Sequence, residues 1–306
     1  MIKYFLIILF INLSNFAQTK GFVVNIENKP IPYVTIWVEN EEKGTTSQEN
    51  GSFTLQNVKV DNTLIFSALG YETQKVKIAN ANKVILKEIV YELEDVTISS
   101  PLKKEEITIG DFDSGGIRYF YISSLNSPTI IAKYIPYTKQ IADHNYIKSI
   151  SFYTKSKINI AKVNLQFLEA DEFGHPGKSI SKENIIVNVK KGDKITLVNV
   201  ENLKITIPEN GIFVMIESLI IAENNHIEEY VVKNGNKKSK YISNTYQPNF
   251  GFLPSEKIET WKKTGILWKP MERKVKVKDH EDFSKFSMKK YHDKYLDFPI
   301  KLVLTN

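Results

Sequence analysis

The chain has 306 residues, with 41 lysines and arginines against 35 aspartates and glutamates, a formal net charge of +6. At 42% hydrophobic and 11% aromatic residues it can fill real cores, which excludes general disorder, and its length suits one large or two ordinary domains. There is no cysteine, so disulfides, thiolate-bound zinc or iron–sulfur sites, a cysteine nucleophile and an acylated N-terminal cysteine are all excluded.

Met1-Ile2-Lys3 is a short positive start, residues 4–13 (YFLIILFINL) are apolar, and Asn15-Phe16-Ala17 precedes Gln18. That is the layout of a secretory signal peptide over residues 1–17, although Asn15 is an unusual choice three residues before the cut. The apolar run is too short to span a bilayer, which needs roughly 20 apolar residues, and no later segment is longer. The expectation is an exported chain with no transmembrane span after cleavage, in the periplasm, associated with the outer membrane, or at the cell surface. Lysine greatly outnumbers arginine, which occurs only at Arg118 and Arg273, and acidic residues interleave. Phosphate and base readout favour arginine forks, so no nucleic-acid partner is expected.

From there period-two alternation recurs. Val34, Ile36 and Val38 alternate with Tyr33, Thr35 and Trp37; Val163, Leu165 and Phe167 alternate with Asn164 and Gln166. Leu203, Ile205 and Ile207 alternate with Lys204 and Thr206, and Ile300, Leu302 and Leu304 close the chain in the same way. Turn signals such as Glu49-Asn50-Gly51, Gly174-His175-Pro176-Gly177 and Glu209-Asn210-Gly211 bound these runs. Many short strands separated by turns predict an all-β protein of two β-sandwich domains.

The first domain is expected over residues 19–99. It carries, in order, Gly21-Phe22-Val23, Lys29-Pro30-Ile31-Pro32-Tyr33-Val34, Gly44-Thr45-Thr46-Ser47, Glu49-Asn50-Gly51-Ser52-Phe53, Ser67-Ala68-Leu69-Gly70-Tyr71 and Leu93-Glu94-Asp95-Val96. This order resembles the carboxypeptidase regulatory-like domain found at the N-terminus of many TonB-dependent outer-membrane receptors of Bacteroidetes-type bacteria. The chain departs from that family at Tyr33 (family Gly), Gln48 (family Asp) and Asp95 (family Glu). The resemblance implies a seven-stranded transthyretin-like sandwich with no catalysis of its own. In those receptors a plug and a large barrel follow, for which the roughly 200 remaining residues here are too few.

A linker is expected over residues 100–107 and a second sandwich, jelly-roll-like, over 108–306, resembling only in general architecture the domains of secreted adhesins and glycan-binding modules. Its candidate sites are sparse. His226 and Glu229 have a zinc-ligand spacing but lack a third ligand in context. Asp111 and Asp113 are weak calcium candidates, two carboxylates where calcium wants about 6–8 oxygens. No metal or other cofactor is expected. Tyr246, Phe250, Phe252, Trp261 and Trp268 cluster where strand periodicity is low. Of these, Tyr246, Trp261 and Trp268 are the ligand-binding candidates, because flat aromatic faces stack on sugar rings and anchor partners. Phe283, Phe286, Met288 and Tyr291 could form one face of a short helix.

No nucleophile, oxyanion or phosphate-binding motif is assembled, so no catalytic residue is expected. The leading expectation is a non-enzymatic envelope protein that binds or scaffolds a glycan, a peptide or an outer-membrane protein. The alternative is a hydrolase of envelope polymers using carboxylates of the second domain, with Glu169, Asp171 and Glu172 the nearest group.

Overall fold

The computed structural model describes residues 17–89, 105–123, 125–234, 237–273 and 289–306. The expected signal peptide up to residue 16, residues 100–104 of the expected linker, Asp95, and Phe283, Phe286 and Met288 lie outside the described residues. The expected all-β class is borne out: helix among the described residues is limited to Lys139–Ala142 and a few single 3-10 turns.

The first domain is a sandwich of a three-stranded and a four-stranded sheet. In the three-stranded sheet Ala17–Val24 lies between antiparallel Ser52–Val58 and parallel Lys83–Ile85. The other sheet runs in the order Gly44–Thr46, Thr35–Val38, Thr63–Ser67, Gln74–Lys77. The alternation read from sequence sets the core: Val34, Ile36 and Val38 turn inward onto Phe53, Leu64 and Phe66. Each such side chain taken from water contributes about 1.5–3 kcal/mol before chain entropy is counted. Gly51, at φ 76°, makes the turn before Ser52–Val58, where the Asn50 side chain also accepts the Ser52 N–H. Tyr33 has φ 58°, a left-handed backbone that explains the glycine this family prefers there.

The second domain is a sandwich in the general sense expected, built from one continuous 13-stranded ladder. Its spine is Tyr146–Ala170, a 25-residue strand that would span roughly 80 Å if straight. Instead its pairing with Ile185–Asn199 shifts register between Ser156 and Ile160, the kind of bulge that lets a strand turn a corner. Its first half pairs with Ile300–Thr305 and its second half with Ile212–Ser218. Phe152, Val163, Leu165, Phe167, Phe250 and Phe298 fill the core between them. Glu106–Ile109 pairs with Ile300–Thr305, so Glu106 and Ile107 of the segment expected as linker run as a strand against Thr305 and Leu304. The strand expected at Ile205 and Ile207 does not form. Lys204 is left-handed (φ 50°) after a 3-10 turn, leaving only an isolated bridge between Thr206 and Tyr146, although both isoleucines are buried.

The four-stranded sheet of the first domain is covered on both sides. Its outer residue Trp37, with Ile65, packs on Ile130, Ala132, Leu168, Phe213 and Met215 of the second domain. Tyr33 packs on Leu219 and Ile221. Hydrogen bonds tie the same seam: Gly44 N–H to the Asn126 carbonyl (2.6 Å), Ile220 N–H to Thr46 Oγ1 (3.2 Å) and Ala222 N–H to Gln48 Oε1 (3.0 Å). Two of the three departures from the family pattern, Tyr33 and Gln48, therefore touch the second domain.

Away from this seam the hairpin of Asn225–Asn234 and Lys237–Ser255 leaves Ile227, Tyr230, Val231, Val232, Tyr241 and Ile242 exposed.

Candidate functional site

Strands paired in the second domain present one residue inward and the next toward the first domain. Along Ile212–Ser218, buried on both faces, Ile212, Val214 and Ile216 enter the core while Phe213, Met215 and Glu217 face the joint. Along Tyr146–Ala170, Val163 and Leu165 enter the core while Asn164 and Gln166 face the joint. The hairpin of Thr260–Thr264 and Leu267–Pro270 adds Trp261, Lys263 and Trp268 on one face, since Lys263 lies opposite Trp268 and Trp261 opposite Pro270.

Where the two domains part, these residues line a cleft of about 470 Å³. The first domain contributes Tyr33, Thr35 and the turn through Gly70 and Tyr71. The second contributes Asn164, Gln166, Asn184, Glu217, Lys263 and Trp268. Glu217 is the one carboxylate among the lining residues and is 2% exposed. Burial pushes its carboxyl above the usual carboxylate range, opposed by the Thr35 hydroxyl, the Asn164 amide and the Lys263 charge. Thr35 Oγ1 donates to Glu217 Oε1 (2.6 Å) and Asn164 Nδ2 donates to Oε2 (3.4 Å), so both carboxyl oxygens are engaged.

Asn164 is 1% exposed and spends its other N–H on Asn184 Oδ1 (3.0 Å), to which Gln166 Nε2 also donates (3.3 Å). Its own Oδ1 is buried without a hydrogen-bond partner. Such an orphan acceptor is uncommon in a folded protein and costs on the order of 1–3 kcal/mol. Lys263 is half-buried, its ammonium 5.6 Å from the centroid of the Trp268 ring. Burial holds it below the ordinary lysine value, opposed by Glu217. Tyr71 at the opposite wall has its phenol raised by burial and by Glu88.

Of the residues expected to bind, Trp268 lines this cleft. Trp261 lies beside it, packed on the apolar joint and against the His175 ring (4.8 Å), which continues to the exposed Phe173 (6.2 Å). Tyr246 is elsewhere: it lines a separate groove of about 300 Å³ with Lys43, Gly44 and Asn244. Phe250 and Phe252 are core residues. Asp111 Oδ1 accepts the Phe112 N–H (2.8 Å), and Asp113 caps the turn Ser114–Gly116 by accepting the Gly115 N–H (2.9 Å). His226 and Glu229 are three apart on an extended strand and so point to opposite faces. Among the described residues no group of three or more His, Asp or Glu is placed to hold a metal ion. Asp171 closes its turn by accepting the Phe173 and His175 N–H groups (2.9 and 2.7 Å), and Glu169, Asp171 and Glu172 are not among the cleft residues.

Asn164, Glu217 and Lys263 went unmarked in the sequence reading. Glu217 alone had a signal, as the single charge in the otherwise apolar run IFVMIES.

Residues 19–99 match the family described as the CarboxypepD_reg-like domain, a non-catalytic fold of the binding or regulatory kind. No curated protein matches the chain. Among solved structures it is similar to the infectious bursal disease virus Gx strain, at 11% identity and TM-score 0.25 over 94% of this chain and 59% of that one. The VP2 subviral particle of infectious bursal disease virus is similar at 12% identity and TM-score 0.25, over 94% of this chain and 60% of that one. The chain thus spans about three fifths of the length of either, and superpositions this loose say nothing of its activity. Among the described residues no helix is long and apolar enough to cross a membrane.

Proposed function

We propose that the protein is an exported, non-enzymatic binding module of the cell envelope that holds a glycan in the cleft between its two domains. The observation that carries this reading is Trp268 on the wall of a cleft lined by the side-chain amides of Gln166 and Asn184. Sugar rings offer apolar faces to an indole and hydroxyls to amides, and this cleft sets Asn164, Gln166 and Asn184 beside Trp268. The cleft volume lies within the usual range of small-ligand sites, about 300–1,000 Å³.

Hydrolysis of a glycosidic bond needs two carboxyl groups facing one another across the bond. The cleft lining supplies Glu217 alone, already engaged by two donors, so binding is the reading its geometry favours.

A glycan array probed with the purified protein and with single alanine variants tests the proposal. Saturable binding is expected, weakened at least about tenfold by Trp268→Ala, the loss of one stacked ring. Trp261→Ala should weaken it less, and Tyr246→Ala should leave it unchanged. Binding equal in wild type and Trp268→Ala would remove the cleft from consideration.

A second reading, a protein partner in the envelope, has the exposed apolar hairpin in its favour. No retained glycan, together with a stoichiometric complex isolated from membrane extract, would move the assignment there.

A further inference from the structure

The charges lining the cleft are Lys178, Lys263 and Glu217. They are not equivalent. Glu217 lies in the floor with both oxygens accepting hydrogen bonds from Thr35 and Asn164, and burial raises its carboxyl toward the neutral form. Lys178 is exposed. Lys263 is half-buried on the wall, and no acceptor reaches its ammonium among the described residues; its neighbour is the Trp268 ring at 5.6 Å. A partly buried ammonium held against an indole but lacking an acceptor is an unfinished arrangement, because burial of a charge costs energy unless it is paired.

We infer that the cleft takes an acidic sugar of the uronic-acid type, whose carboxylate pairs with Lys263 while its hydroxyls face the polar lining of Gln166 and Asn184. This rests on the glycan reading above and adds the class of sugar. The geometry suits it: Lys263 and Trp268 line the same cleft with the ammonium 5.6 Å from the ring centroid, so a uronic acid touching the indole has its carboxylate, one bond off the sugar ring, within reach of that ammonium. A single negative charge per ring matches one lysine on the wall, and the cleft lining has neither an arginine fork nor a helix N-terminus such as phosphate sites employ.

The test uses the purified protein with four probes: a tetragalacturonate, the same oligosaccharide with its carboxyls reduced to alcohols, a sulfated tetrasaccharide, and a mannuronate tetramer as a second uronate. Titration calorimetry should show a uronate bound in preference to its carboxyl-reduced form by about tenfold or more, the value of one charge-assisted contact. That preference should disappear in Lys263→Gln, shrink in Lys178→Gln, and weaken with added salt. Lys263→Gln should keep the wild-type melting temperature, so that loss of preference is not loss of fold. Equal binding of acidic and reduced probes, preference for the sulfated probe, or an unaltered preference in Lys263→Gln would overturn the acidic-sugar assignment while leaving glycan binding standing. No binding of any probe, with none retained on the array, would overturn both.

Discussion

The interior of each domain and the joint between the domains are made by the same strands, yet the two are chemically unlike. Val34, Ile36 and Val38 belong to the apolar cluster inside the first domain, and Val163, Leu165 and Phe167 to that inside the second. One residue over, Thr35 and Asn164 hold a buried carboxyl between them, and Trp37 meets Phe213. The interior supplies stability without addressing anything outside the chain. The joint mixes apolar docking with buried polar groups that satisfy one another incompletely, and its unfilled portion is the cleft. A docking surface that closed completely would bury as much and bind nothing.

The sharpest way to break this comparison is to cut both regions and watch how the molecule fails. Phe167→Ala, in the second domain's core, should cost about 3–5 kcal/mol and lower the urea midpoint in one cooperative step for that domain. Trp37→Ala removes a ring of similar size from the joint, and its expected signature is different. Calorimetry should resolve two transitions where the wild type shows more closely coupled unfolding, because the two interiors remain while their contact weakens. A single undivided loss in Trp37→Ala would mean that joint and interior are one cooperative core.

Tyr33 sharpens the comparison on a smaller scale. Its backbone sits at φ 58° while its ring packs on Leu219 and Ile221. Tyr33→Gly removes the ring and also the strain, roughly 1 kcal/mol for a non-glycine residue in this region. Tyr33→Ala removes the ring and keeps the strain. Denaturant titration should therefore rank Tyr33→Ala as less stable than Tyr33→Gly, against the usual order of alanine and glycine; the reverse order would mean that the left-handed backbone is not strained here.

The smallest effect is a slope. The Glu217 carboxyl is raised in the folded state by burial, so the folded protein keeps that proton at a pH where the unfolded chain has released it. Its contribution is complete below the ordinary carboxylate range and is lost as pH rises through the raised value. In Glu217→Gln that component is absent, so stability measured from pH 4 to 8 should rise relative to wild type as pH increases. A constant difference across that range would show that the folded carboxyl titrates normally.

The strand interiors were legible because a period of two is a local property: Val34, Ile36 and Val38 declare one apolar face whatever lies beyond it. The joint was not, because nothing local says whether the other face meets water or a second sheet. Tyr33 and Trp37 on the nominally polar side of their strand, and Glu217 within an apolar run, were the available signals. The family pattern offered another, since Tyr33 and Gln48 depart from it at positions that touch the second domain. Trp268, chosen as a binding candidate for its aromatic character, lines the cleft, whereas Tyr246, chosen on the same ground, lies in a different groove. Asn164 and Lys263 could not be found this way, since their roles come from pairing across a fold and an amide or lysine is unremarkable in a strand. Ile205 and Ile207 show the converse failure: buried as their spacing suggests, yet not in a strand, because Lys204 turns left-handed before them.

The pairing of Glu106–Ile109 with Ile300–Thr305 sets an order of assembly. The first domain's described strands end with Lys83–Ile85, so that domain has its parts early in synthesis. The second closes the edge between Tyr146–Ala170 and Glu106–Ile109 only once Leu302 and Leu304 exist. At about 5–20 residues per second, residues 106 and 305 emerge on the order of 10–40 s apart. Until residues 130–221 have emerged and folded, Trp37 and Tyr33 stand on the first domain without the residues that cover them, a sticky face waiting for its lid. A nascent chain arrested after the first domain but before residue 221 should accordingly be a better client for a holdase than one that carries residues 130–221 folded against it.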